Sequence, residues 1–244
     1  MFFSMNNSSL YIILIILALS NIFTGRFSLV EFLLTIPGVL LAITFHEFAH
    51  AYAADKLGDT TPRSQGRLNL NPLSHLDPFG LFMLIFAHIG WGKPVQINPR
   101  NFDRKISMAA GEAIVAFAGP FMNFILSIVF TIVFYAIRTF SGAGFLASTV
   151  GVVITTMVSY CIIVNVGLGV FNLIPLPPLD GSKILKNLLP YNARNWMESH
   201  EMFFYAIFLL IWITDLAAYI INPVINAIIG GLDYVIGGFF GLFM

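Results

Sequence analysis

Between Arg138 and Asp180 lie 41 consecutive residues without a charged side chain. A run of about 20 apolar residues is enough to cross a hydrocarbon core roughly 30 Å thick. This stretch therefore holds a membrane span and a loop, and it is one of several. The whole chain has 24 charged residues in 244, or 10%, where soluble domains carry about a quarter. Mean hydropathy is +0.86, and 25 residues are Phe. So few charges cannot cover a water-facing surface, which excludes an ordinary cytosolic enzyme and a disordered chain. The 12 basic and 12 acidic residues cancel, leaving no basic surplus for nucleic acid.

Apolar segments at 9–23, 28–54, 111–137 and 146–173, with two more in 202–244, predict an all-α polytopic membrane protein of about six transmembrane helices. The last of these is expected to be broken near Asn222-Pro223. The first is read as a retained helix, because no Lys or Arg precedes its Ala18-Leu19-Ser20. One domain is expected, with a core over about 30–190 and C-terminal helices over 201–244. Cys161 stands alone inside an apolar run and reads as a small buried side chain.

Seven Lys/Arg fall between residues 55 and 105, and Lys183, Lys186 and Arg194 in a later polar stretch; only Arg26 and Arg138 fall on the other side. By the positive-inside rule the two basic regions face the cytoplasm, with both termini on that side. Within the first of them, Phe79 to Ile89 is apolar but too short to span, which suits a re-entrant or interfacial segment. Residues 67–71 and 94–98 alternate in polarity and end at prolines, predicting short membrane-associated β-strands. Strands at membrane depth must line a protein or water-filled cavity.

The chemistry centres on His46-Glu47-Phe48-Ala49-His50, at the end of the second span. Positions i and i+4 of a helix share a face, so both imidazoles can address one ion. Glu47, one residue along, sits near that ion without ligating it. This is the arrangement in which two His bind Zn²⁺ and a Glu acts as general base. Zinc requires a third protein ligand. Among the remaining acids and histidines Asp180 stands out: prolines at 175, 177 and 178 end the fourth span, and Gly181 allows a turn directly after it. The topology sets Asp180 at the same depth as His46 and His50. As a bare turn residue it would read equally well as a solvated helix end.

These motifs resemble those of the site-2 protease family of intramembrane zinc metalloproteases. The HExxH helix is matched by His46 to His50, an Asn-x-x-Pro-x-Pro-x-x-Asp-Gly run by Asn172 through Gly181, and a Gly-Pro-x-x-Asn run by Gly119 to Asn123. The loops Asn71 to Pro78 and Gly90 to Val95 are similar to those of the compact prokaryotic branch, with no room for a PDZ or CBS domain. The resemblance covers about residues 30–190. It implies one Zn²⁺ held by His46, His50 and Asp180, Glu47 as catalytic acid/base, and Asn123 as a polar residue near the metal. It also implies a single-pass membrane protein as substrate, in a prokaryotic cell membrane, and the charge layout sets the site toward the cytoplasm.

Asn123 reads either as a donor to the substrate carbonyl or oxyanion or as interhelical packing glue; Asn172 is grouped with it as a substrate-side candidate. The Gly119-Pro120 pair predicts a helix break beside Asn123. The extended segments predict pairing with an unwound substrate by β-addition. His75 and His88 read as structural, His200 as a solvated helix start, and Asp215 is left open. Two other readings stand beside the protease: a non-proteolytic metal-binding membrane protein or transporter, and a zinc peptidase of prenylated or misfolded chains. A transporter tends to carry paired repeats, which this chain lacks. The other peptidase would favour a Glu ligand on a later helix.

Overall fold

The computed structural model describes residues 28–80, 92–214 and 216–243. Three long helices build the centre: α1 (Leu29–Lys56), α2 (Met108–Phe140) and α3 (Thr149–Asn172). Each begins at a serine whose hydroxyl accepts from a backbone N–H three residues on, Ser28 from Glu31, Ser107 from Ala110 and Ser148 from Gly151, satisfying one of the otherwise orphaned first-turn donors. Lys56 and Arg138 occupy the last turns of α1 and α2, where the helix dipole favours a cation. Shorter helices follow: α4 (Asp180–Leu188), α5 (Tyr191–Ser199), α6 (Glu201–Ile213) and α7 (Leu216–Leu232). The α7 backbone continues through a π-helical turn at Asp233–Gly237.

The two sides of α2 explain how the centre packs. Gly111, Val115, Gly119, Asn123, Ser127 and Thr131 recur every fourth residue and are all buried. Ile114, Phe117, Phe121, Ile125, Ile128 and Ile132 lie on the outside, with large apolar surfaces exposed. Small and polar residues face in while bulky hydrocarbon faces out, the reverse of a water-soluble helix. In lipid there is no hydrophobic gain from bringing apolar faces together, so helices associate through close backbone approach and hydrogen bonds. Gly38 of α1 provides one such approach: a Cβ there would lie 3.0 Å from Cys161 Cα of α3.

Among the described residues four helices are long and apolar enough to cross a membrane: Leu29–Lys56, Met108–Phe140, Thr149–Asn172 and Ala218–Phe243. The expected first span and most of the Phe79–Ile89 segment fall outside the described residues. The C-terminal region departs from expectation. Its first helix, α6, has 13 residues, about 20 Å at 1.5 Å per residue, short of a full crossing. No break occurs at Asn222-Pro223, because α7 runs through with Pro223 inside it. Gly119-Pro120 likewise interrupts nothing, since α2 is continuous across it.

Residues 67–71 and 94–98 form no strand, and the one bridge among the described residues pairs Leu76 with Gly92. Side chains bond backbone groups in and beside both segments. The side-chain Oδ1 atoms of Asn69, Asn71 and Asn98 accept from the backbone N–H groups of Asn71, Leu73 and Arg100, turn bonds that compete with strand pairing. Arg67 takes the backbone carbonyls of Ser74, Lys93 and Pro94.

The far end of this loop is tied by Asp59, which is fully buried. Its carboxylate accepts from the Thr61 N–H and hydroxyl, from the Asn98 N–H at 2.6 Å and from the Asn101 amide at 2.9 Å. Burial pushes the Asp59 pKa up, but these donors favour the charged form and hold it below its ordinary value. A depressed carboxyl contributes stability that is complete above its unfolded pKa, about 3.9, and lost as pH falls through the lower folded value. Resistance to thermal unfolding in detergent is therefore expected to fall as pH drops below about 4. Asp59→Asn should be less stable at neutral pH, by about 1–3 kcal/mol for donors left unpaired, and should lose part of that acid dependence. An Asp59→Asn profile parallel to wild type would count against the assignment.

Candidate metal centre

Ten and six residues before its end, α1 carries His46 and His50 on its buried face, 5% and 8% exposed. Their rings meet edge to face with centroids 4.6 Å apart. Room for them comes from α2. A Cβ at Gly119 would lie 2.5 Å from His50 Nε2 and 2.7 Å from His46 Cε1, so only glycine lets the helices close over both imidazoles. Asp180 enters from the start of α4. The Ile174–Leu179 turn brings it in, with Gly181 seated where a Cβ would meet the Leu173 carbonyl oxygen at 2.3 Å.

Asp180 Oδ2 stands 3.2 Å from His46 Nε2 and 3.1 Å from His50 Nε2. The opposite ring nitrogens are both tied. His50 Nδ1 donates to the Val115 carbonyl at 2.7 Å. His46 Nδ1 lies 2.7 Å from Asn123 Oδ1, and the direction of that bond follows from the rest of Asn123. The Asn123 amide nitrogen donates to the Ala42 carbonyl at 3.1 Å and to Asn165 Oδ1 at 3.0 Å. Its oxygen must then face His46 and accept. Asn165 in turn donates to the Cys161 carbonyl at 2.8 Å. A single hydrogen-bonded line thus runs from α1 through α2 to α3 and sets His46 as the Nδ1–H tautomer, while the Val115 carbonyl does the same for His50, leaving each Nε2 inward.

Burial raises the Asp180 pKa, but the His50 and His46 rings and the Lys183 ammonium, 3.1 Å from Oδ1, outweigh it and hold the carboxyl well below the usual carboxylate range. A buried carboxylate oxygen set between two inward-facing imidazole nitrogens is a geometry that a shared cation would satisfy. Tetrahedral zinc with bonds of about 2.0–2.1 Å would set its ligand atoms about 3.3 Å apart, close to the spacing observed. The three side chains form a possible metal-holding group, with ligand atoms within 4.8 Å of one another. Two imidazoles and one carboxylate match the donor set of a single zinc ion.

Glu47 is half-buried on the adjacent side of α1. Its Oε2 accepts the Val95 N–H at 3.1 Å, and Oε1 faces Gly92, where a Cβ would lie 3.3 Å away. Asn172 is not drawn into the cluster: its amide donates back to the Leu168 carbonyl of its own helix at 3.0 Å. His75 is fully buried away from the cluster, with Nε2 2.8 Å from the Asn69 carbonyl. His200 closes the end of α5, 2.8 Å from the Trp196 carbonyl. His88 and Asp215 lie outside the described residues. Two contributions were not foreseen from the sequence: Lys183, whose i+3 spacing from Asp180 on a helix was a usable signal, and Asn165 as the anchor of Asn123.

Residues 34–214 match the family model described as Peptidase family M50. The chain belongs to peptidase family M50. Similar relatives include "Putative zinc metalloprotease YwhC" of Bacillus subtilis (strain 168), 37% identical over 205 residues that cover 84% of this chain and 90% of the relative. Another is "Putative zinc metalloprotease Rip2" of Mycolicibacterium smegmatis, 31% identical over 67% of this chain and 60% of the relative. No solved structure matches. As an M50 chain with four apolar membrane-length helices among its described residues, the protein is a multi-pass integral membrane metallopeptidase, and its His-His-Asp group suits one Zn²⁺.

Zinc content of this M50 chain, measured by elemental analysis of the purified protein, is expected at one per chain and to fall sharply in Asp180→Ala and Gly119→Ala. Asn123→Ala should keep the fold while weakening zinc affinity about 10–100-fold in chelator competition, as loss of a partner behind a liganding His commonly does. Unchanged affinity in Gly119→Ala would remove the argument for clearance at that position.

Proposed function

We propose that this M50 peptidase is a zinc-dependent intramembrane endopeptidase that hydrolyses peptide bonds of membrane-spanning, single-pass protein substrates. His46, His50 and Asp180 would hold the ion and Glu47 would serve as general acid/base. The observation that carries the reading is the convergence of both Nε2 atoms on Asp180 Oδ2 at 3.2 and 3.1 Å, with each Nδ1 proton already committed elsewhere. Zinc bound there supplies Lewis acidity, polarising a carbonyl and making water acidic enough to ionise near neutral pH.

The residues of the chain divide the remaining work. Glu47 takes the proton of the attacking water on a carboxylate oxygen and passes it to the departing amine. Asn123 holds His46 rather than a substrate oxyanion, since both of its N–H bonds are engaged. Asn172 could reach substrate only by giving up its bond to Leu168. The extended 94–98 segment, next to Glu47, offers backbone edges on which an unwound substrate could pair. The charge asymmetry supports a site opening to the cytoplasm within one membrane domain.

The test is cleavage of a model single-span substrate in detergent or proteoliposomes. Glu47→Gln should lower turnover by about 10²–10⁴-fold with zinc content unchanged, and chelation should abolish activity until zinc is restored. Undiminished cleavage by Glu47→Gln would falsify the proposed mechanism.

A further inference from the structure

Arg67 is a buried cation without an obvious reason to be there. It is 5% exposed, and among the described residues its hydrogen bonds go to carbonyls, those of Ser74, Lys93 and Pro94. Burying a guanidinium on neutral acceptors is expensive. Burial pulls its pKa down, and the charge of Glu47 opposes that shift, so the two groups feel one another without touching. Two of the carbonyls that Arg67 grips, those of Lys93 and Pro94, are immediately before Val95, whose N–H is given to Glu47 Oε2 at 3.1 Å. Lys93 is held from its other side as well, its N–H donating to the His75 carbonyl at 2.7 Å.

We propose that Arg67 is the positioning residue for Glu47: it fixes the 93–95 backbone so that the Val95 N–H occupies Oε2 and leaves Oε1 as the oxygen that handles the proton. The surroundings of Oε1 agree with this division. Gly92 leaves space beside it, because a Cβ there would stand 3.3 Å from Oε1 and only 2.8 Å from Ile43 Cγ2. A planar fork with donors at fixed angles can hold three carbonyls at once, which a lysine ammonium on a flexible stem does far less well. Without the fork the 93–95 backbone is free to retreat, Oε2 loses its donor, and the carboxylate rotates among orientations that do not face the reacting carbonyl. The inference rests on Glu47 being the general base.

The experiment uses the full-length zinc-loaded protein and a model transmembrane substrate, with Arg67→Ala, Val95→Pro, the double variant and Glu47→Gln. Val95→Pro deletes the one N–H in question. Each single variant should lower kcat about 100-fold, the scale of a catalytic group displaced by about 1 Å, with KM little changed and one zinc per chain retained. The double variant should lose no more than either single, because both act through one bond. Added guanidinium should restore Arg67→Ala in part and leave Val95→Pro unaffected.

Wild-type kcat in Val95→Pro, a multiplied loss in the double variant, a loss confined to KM, or loss of zinc would each overturn the proposal. If Arg67→Ala does not accumulate in the membrane, Val95→Pro decides alone by its kcat and zinc content. Glu47→Gln separates the two levels. Activity surviving there removes the general base itself, whereas activity lost there but intact in Val95→Pro removes only the role of Arg67.

Discussion

The placement of one carboxylate between two imidazoles governs this structure. Asp180 Oδ2 lies within 3.2 Å of both His46 Nε2 and His50 Nε2, and none of the three is exposed to water that could relieve it. An arrangement of that kind persists only if everything around it is satisfied. The α4 start must come back over the end of α3, which the Gly181 contact with the Leu173 carbonyl permits. Helix α2 must approach α1 closely enough to cap His50 through Val115, which Gly119 permits. The site is therefore a consequence of close packing among α1, α2 and α4, and it fails if any one of them shifts.

The same economy extends into the apolar interior. Asn123 and Asn165 are fully buried, in segments where an unpaired amide would be costly. They partner each other, the carbonyls of Ala42 and Cys161, and the Nδ1 of His46. One line of amides thus joins three helices and fixes a tautomer at its end. Its contribution to packing and its contribution to chemistry are the same hydrogen bonds. Of the two readings of Asn123, these bonds are those of interhelical glue, one of which ends on His46.

Several elements were legible before any coordinates. The i, i+4 histidines and the apolar length of the three central helices follow from periodicity, and the M50 match agrees with the motifs that marked the chain. Elsewhere the local signal pointed the wrong way. Alternating polarity at 67–71 and 94–98 suggested strands, but the polar positions are asparagines and an arginine that bond backbone groups themselves. Pro223 and Pro120 suggested breaks, yet each sits within a continuous helix, because a proline-freed carbonyl can be accommodated by packing neighbours in membrane helices. Length decided against a full crossing by α6.

What the sequence by itself determined is the inventory of chemistry and the solvent: which residue types are present, at what helical spacing, on segments that only lipid can surround. Those depend on composition and on periods of a few residues, both properties of a linear chain. The tertiary structure alone decided which nitrogen of each histidine turns inward, that Asn172 stays with its own helix, and that Arg67 lies behind the loop bonded to Glu47. Each of these is set by partners 26 to 134 residues away in the chain, except Asn172, whose own helix four residues back claims it first. Hydrogen bonds are directional and short-ranged, so their pairing exists only once the helices have closed on one another.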